Sequence, residues 1–194
     1  MELEANEKAE IPIEANVQVG RNYQIVNAHN LVELDLTPCS GSLIVFDAGN
    51  AYSDQLGSKM KRLIMGSDTS DVNNVLKPSA SDVDTTGQTG YISGISKLKY
   101  LEELNIQNYK GITSITDLPT LAYLKKFDAR GSGLTVAEFA QGAPIEYIGL
   151  PNTMQTLTLS ELPSLTTDGI VFDDGGYDNI TSLTIDNCEQ LLDS

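Results

Sequence analysis

The stretch Ile180-Thr181-Ser182-Leu183-Thr184-Ile185-Asp186-Asn187-Cys188 decides how the rest of the chain is read. Apolar side chains stand at its first, fourth and sixth places, and a thiol at its ninth. Alternation at the fourth and sixth places is the period of an extended strand with one buried face. The same spacing opens the array at Leu31, Leu34, Leu36 and Cys39. Between these two units it recurs at Met60, Leu63, Met65, then Leu101, Leu104, Ile106, then Leu124, Phe127, Ala129. Ile145, Ile148, Leu150 and Met154, Leu157, Leu159 complete the series.

The starts of these units lie 29, 41, 23, 21, 9 and 26 residues apart. An L-x-x-L-x-L-x-x-[N/C] core at a period of about 20–29 residues marks a leucine-rich repeat. The expected fold is a repeat of α/β type or mainly β: a leucine-rich-repeat solenoid with short parallel strands and few, short helices. The expectation is one curved sheet with Leu34, Leu63, Leu104, Phe127, Ile148, Leu157 and Leu183 all turned into the core. The gap of 41 leaves room for an insertion, whereas the gap of 9 is too short to travel around a coil. Cys39 and Cys188 share one repeat position at opposite ends of the array, where the chain turns inward and a small side chain meets backbone groups. They read as two separate buried thiols rather than a disulfide or a catalytic pair.

This divides the chain into an acidic N-terminal extension, 1–21, and a solenoid, 22–194, with a polar insertion at about 66–92. Alternation of Ile11, Ile13, Ala15, Val17 and Val19 suggests a strand capping the first coil. Leu118-Pro119-Thr120-Leu121 and Leu162-Pro163-Ser164-Leu165 share a connecting pattern, and Gly131-Ser132-Gly133 reads as a turn. Thr135-Val136-Ala137-Glu138-Phe139-Ala140 is expected to form one short helical turn. The convex side is otherwise expected to hold loops, short strands and 3₁₀ turns.

Charge is unevenly placed. The 194 residues carry 12 Lys+Arg against 27 Asp+Glu, a formal −15. Residues 1–20 hold −4, residues 21–130 hold −1, and 131–194 hold −10 without one Lys or Arg. Phosphate backbones are gripped by Lys and Arg, so nucleic acid is excluded as a partner of that end, and an anionic membrane is disfavoured. The acidic end reads as a solubilising surface, with a basic protein partner or weakly held divalent cations as sharper readings. No apolar run approaches the roughly 18 residues of a membrane span, so no membrane insertion is expected. No basic-then-apolar leader opens the sequence.

In each unit, the residue before the second aliphatic faces outward beside its counterpart in the next coil. That column reads Glu33, Arg62, Glu103, Lys126, Tyr147, Thr156 and Ser182. Its first four members alternate in sign, so they are expected to be exposed, adjacent and paired with each other rather than offered to a ligand. Toward the C-terminus the column turns neutral. A partner-contact face is therefore sought at Tyr147, Asn152, Gln155 and Thr158.

Sequence signatures of chemistry are lacking: no G-x-S-x-G, P-loop, H-E-x-x-H or paired C-x-x-C is present. Two Cys cannot complete a four-ligand zinc site, and the single His29 reads as a loop or cap residue. Asp82, Asp84, Thr86 and Gly87 imitate part of a calcium loop, but Ser93 stands where the bidentate Glu belongs. The reading is of no catalytic residue, no cofactor and no metal, in a chain that is not an enzyme.

The stretches Leu124-Lys125-Lys126-Phe127-Asp128-Ala129-Arg130-Gly131-Ser132-Gly133-Leu134 and Ile145-Glu146-Tyr147-Ile148-Gly149-Leu150-Pro151-Asn152-Thr153-Met154-Gln155-Thr156-Leu157-Thr158-Leu159 resemble irregular leucine-rich repeats in virion and tail proteins of tailed phages of gut bacteria. The segment Leu56-Gly57-Ser58-Lys59-Met60-Lys61-Arg62-Leu63-Ile64-Met65-Gly66 is similar to theirs too. The resemblance, over about 22–194, implies a hairpin-like unit at the 9-residue gap and a structural or receptor-facing module of a longer virion polypeptide. It carries no catalytic residue. A bacterial cell-surface leucine-rich-repeat adhesin or glycan-binding module is the alternative, although a secreted adhesin is expected to begin with a signal peptide. Each coil buries its core against its neighbours, so the last one needs cover. Leu183, Ile185, Leu191 and Leu192 are therefore expected to pack on further repeats of the same chain, a protein partner or another copy. Expressed alone, the chain is expected to self-associate through that end.

Overall fold

Short runs of alternating aliphatic and polar residues make short strands, and each strand pairs parallel to its neighbours. The structure is a computed structural model, and it describes residues 8–10, 32–35, 45–47, 60–64, 91–93, 95–108 and 112–192. In chain order the strands are β1 (Lys8–Glu10), β2 (Glu33–Asp35), β3 (Val45–Asp47), β4 (Arg62–Ile64), β5 (Tyr91–Ser93) and β6 (Glu103–Asn105). There follow β7 (Lys126–Asp128), β8 (Val136–Glu138), β9 (Tyr147–Leu150), β10 (Thr156–Ser160), β11 (Ile170–Phe172) and β12 (Ser182–Asp186). Connections between them carry 3₁₀ turns at Ile95–Lys97, Leu118–Thr120 and Thr167–Gly169, and one short helix at Glu189–Leu192. The fold is a mainly β solenoid of parallel strands with few and short helices, as the repeat spacing predicts.

The single sheet expected from the spacing is corrected. Described strands form a seven-stranded sheet in the order β1-β2-β4-β6-β7-β9-β11, a three-stranded sheet β12-β10-β8 and a two-stranded sheet β3-β5. The anomalous gap of 9 residues is the step between two sheets. β9 belongs to the seven-stranded sheet and β10 to the three-stranded one, so Leu157 and Leu183 sit in a different sheet from Ile148. No hairpin forms there, because β10 pairs with β8 and β12, both parallel. Pro151 separates the two strands; it lacks an N–H and cannot extend a ladder.

Thr135–Ala140 is the second correction. Val136–Glu138 is strand β8 rather than a helical turn. Val136 and Glu138 are exposed while Ala137 and Phe139 are buried, which is the period of a strand. The Thr135 N–H donates to the Thr113 carbonyl at 3.0 Å, drawing the segment into a ladder that continues from Thr135 to Gln155 and from Gln155 to Thr181.

Between the sheets, Leu34, Leu63, Leu104, Phe127 and Ile148 stack in register with no solvent exposure. Phe139 meets the Phe127 ring edge-on at 5.5 Å between centroids. The expected burial of Leu183 fails: it is 55 % exposed, because it lies on the last described coil and no described strand stacks on its far side.

At the ninth place of three units, a hydroxyl or thiol side chain meets the backbone where the chain turns. The Leu134 N–H donates to Ser132 Oγ at 3.2 Å, and Thr153 Oγ1 donates to the Leu134 carbonyl at 2.8 Å. Cys188 is a free, buried thiol with Sγ 3.5 Å from the carbonyls of Leu159 and Asp186. Cys39, His29, the 11–19 alternation and the calcium-like residues 82–87 lie outside the described residues. Of the polar insertion set at about 66–92, residues 66–90 lie outside the described ones, and Tyr91 opens β5 in pairing with β3.

Candidate functional site

The outward face of the seven-stranded sheet is built by register. Glu33 lies opposite Arg62, Arg62 opposite Glu103, Glu103 opposite Lys126, and Lys126 opposite Tyr147. Arg62 donates Nη1 to Glu33 and Nε to Glu103, both at 2.7 Å. Lys126 Nζ lies 3.1 Å from Glu103 and 5.8 Å from the centre of the Tyr147 ring, a cation–π contact that ends the series on an aromatic. One residue back, Glu102 takes Lys61 at 2.7 Å and Lys125 at 2.8 Å. The four charged members are adjacent and paired, but Glu33 and Glu103 are half-buried rather than exposed.

These partners set the acidity of the two glutamates. Hydrogen bonds from Lys125 and Lys61 lower the Glu102 carboxyl to about 2. Burial pushes the Glu103 carboxyl up, yet hydrogen bonds from Arg62 and Lys126 outweigh it and leave the group below its ordinary value.

A second cluster lies two residues further along the strands. Asp128 is buried; its carboxylate accepts Arg130 Nε at 3.0 Å and Nη2 at 2.8 Å, with Tyr147 Oη at 3.3 Å. Gly149 stands opposite Asp128 on β9, and a Cβ there would collide with the Asp128 carboxylate. The missing side chain is what gives Asp128 and Arg130 their place. The Asp128 hydrogen bond raises the Arg130 guanidinium further above its ordinary value, and burial together with Asp128 raises the Tyr147 phenol. One coil earlier, Asn105 makes the neutral version of this turn, donating to Gln107 at 3.0 Å and accepting the Gln107 N–H at 2.9 Å.

The four residues expected to form a partner-contact face are divided by the fold. Tyr147 lies on the seven-stranded sheet, engaged with Lys126 and Asp128. Thr158 lies on β10 in the three-stranded sheet, between Glu138 and Thr184. Asn152 and Gln155 are exposed on the connection between them. The Asn152 carbonyl accepts Asn179 Nδ2 at 2.6 Å, and the Gln155 carbonyl accepts the Thr181 N–H at 2.9 Å. They do not make one surface.

Two other features present themselves to solvent. Tyr100 and Tyr123, each directly before the first aliphatic of its unit, are exposed and tilted together with centroids 5.4 Å apart. Their identical repeat phase is the signal in the sequence that marks them, three places before Glu103 and Lys126 of the outward column. At the C-terminal end, Leu183 and Ile185 are 55 % and 47 % exposed, whereas Leu157 and Leu159, their counterparts one coil back, are 2 % and 1 % exposed. Leu191 packs partly on the core beside them; the Leu192 side chain lies outside the described ones.

Among the described residues, no group of three or more His, Cys, Asp or Glu is placed to hold a metal ion, and no helix is long and apolar enough to cross a membrane. Comparison with protein-family models, with curated proteins and with solved structures returns no match.

Proposed function

We propose that this chain is a non-enzymatic structural and protein-interaction module of the leucine-rich-repeat type, working in the tail or virion of a tailed phage as part of a longer polypeptide. The observation that carries the reading is the parallel stack itself, in which Leu34, Leu63, Leu104, Phe127 and Ile148 lie in register with no solvent exposure. Leu183 and Ile185, on the last described coil, continue an inward column whose members Leu157 and Leu159 are buried one coil back. The pairing of Glu102 and Glu103 with lysines of neighbouring coils supports it, since these carboxylates are committed to holding coils together. Small side chains at the ninth place of three units, Ser132, Thr153 and Cys188, meet the backbone there and support the repeat type, although Leu162 holds that place in the unit of Met154. The location in a virion rests on the sequence resemblance. An antibody against the chain, applied to purified particles of a phage that encodes it, is expected to label the tail. Particles that lack the chain altogether would remove it from the virion.

The alternative, a cell-surface adhesin or glycan-binding module, is favoured by one observation: the exposed Tyr100–Tyr123 pair, since aromatic faces are suited to stacking on sugars. A glycan array separates the two. Saturable binding lost in Tyr123→Ala supports the adhesin.

A further inference from the structure

Two exposed aromatic rings stand beside a row of paired charges, in the middle of the described stack. Tyr100 and Glu102 flank Leu101, and Tyr123 and Lys125 flank Leu124 one coil on. Both leucines are buried, so the four flanking side chains are turned outward, two from each coil. The tyrosine rings lie 5.4 Å apart at 42°, and each is about half exposed. Beside them Glu102 takes Lys125 at 2.8 Å and Lys61 at 2.7 Å. With Glu146, which acts on Lys125 from the next coil, this row of two lysines and two glutamates sums to zero. An anionic ligand would have to draw the lysines away from Glu102. Hydrogen-bonding capacity nevertheless remains, because an ammonium carries three donors and the Lys61 and Lys125 side chains are 54 % and 49 % exposed. An apolar side chain of a protein partner is anchored in a closed, desolvated pocket, whereas these rings stand on an open face next to charges. A sugar ring suits both halves of the patch. Its polarised C–H groups meet the electron-rich face of an aromatic ring, and the hydroxyls on its rim both donate and accept.

The geometry points to a binding site for a neutral glycan of β-linked pyranose units with equatorial hydroxyls. Tyr100 and Tyr123 take its C–H face, and Lys61, Glu102 and Lys125 take its hydroxyls. Equatorial hydroxyls keep the stacking face free of oxygen, which an axial hydroxyl would interrupt. The inference rests on the reading of the Tyr100–Tyr123 pair as a sugar platform, and adds the class of sugar and the polar residues that hold it.

The test titrates the 194-residue chain with cellopentaose, which is neutral and equatorial, and with the same oligosaccharide oxidised at C6 to glucuronate units. Calorimetry and tyrosine fluorescence are expected to find saturable binding of cellopentaose, about fivefold or more tighter than that of the oxidised form. Tyr100→Ala and Tyr123→Ala should each abolish binding and leave the circular dichroism spectrum unchanged, since both side chains are exposed. Tyr123→Phe keeps the ring and should hold the affinity within about twofold. Lys125→Met removes the donors and should weaken binding about fivefold. Equal or tighter binding of the oxidised form, no binding of cellopentaose, or binding that survives both alanine substitutions overturns the inference. A glycan array with the unaltered and Tyr123→Ala chains then reports separately whether the pair takes another sugar, and the particle-labelling experiment is independent of both.

Discussion

Gly149 faces Asp128 across the β7–β9 pair, and the carboxylate occupies the space where a Cβ would be. Gly149→Ala should therefore push Asp128 away from Arg130 and Tyr147, loosening a buried charge from its partners. The expected loss is about 1–3 kcal/mol in urea unfolding followed by circular dichroism. An unchanged midpoint would mean that Asp128 is held by something else. This cluster was not legible in the sequence. Asp128 and Tyr147 are 19 positions apart, and nothing in either residue type announces the pairing until the register sets one beside the other. Cys188 was legible, because its place in the nine-residue pattern already located the turn at which its thiol meets the carbonyls of Leu159 and Asp186.

Strands β2, β4, β6 and β7 owe part of their order to the charges on their outward face. Arg62 bridges Glu33 and Glu103, so Arg62→Ala removes two cross-strand pairs at once. Such pairs contribute roughly 0.2–1 kcal/mol each, less where solvent reaches them. The substitution should lower stability by about 0.5–1.5 kcal/mol at low salt, and clearly less in about 1 M salt, where charges are screened within a few ångströms. An effect that ignores salt would contradict the pairing. Acid should act on the same elements. Glu102 falls from an ordinary 4.5 to about 2 in the folded chain, and Glu103 is lowered as well. A carboxyl depressed by folding stabilises above its unfolded value, and this contribution is lost as pH falls toward the folded one. The urea midpoint should decline from pH 5 to pH 2, and Glu102→Gln should make that decline shallower. The column from Glu33 to Lys126 was readable because each outward residue precedes the second aliphatic of its unit by one place. β8 was not, since Thr135–Ala140 contains only a short alternation and its identity as a strand comes from hydrogen bonds to Thr113 and Gln155.

At the scale of the whole molecule, the repeat spacing carries the solenoid but not its division into sheets. L-x-x-L-x-L marks an inward-facing strand and says nothing of which wall that strand joins. Two units 9 residues apart can satisfy it on different walls of one coil, as β9 and β10 do. Exposure of Leu183 is equally a property of the stack: its local pattern matches that of Leu157, and only the missing neighbour distinguishes them. The most direct measurement of this account is therefore the unfolding free energy of Leu157→Ala beside that of Leu183→Ala. Truncating Leu157 opens a cavity between two strands and should lower stability by roughly 2–5 kcal/mol. Truncating Leu183 removes a side chain that is more than half in water and should lower it by about 1 kcal/mol or less. Equal losses at the two positions, or a larger one at Leu183, would contradict a stack in which Leu157 lies between two strands and Leu183 on the last described one.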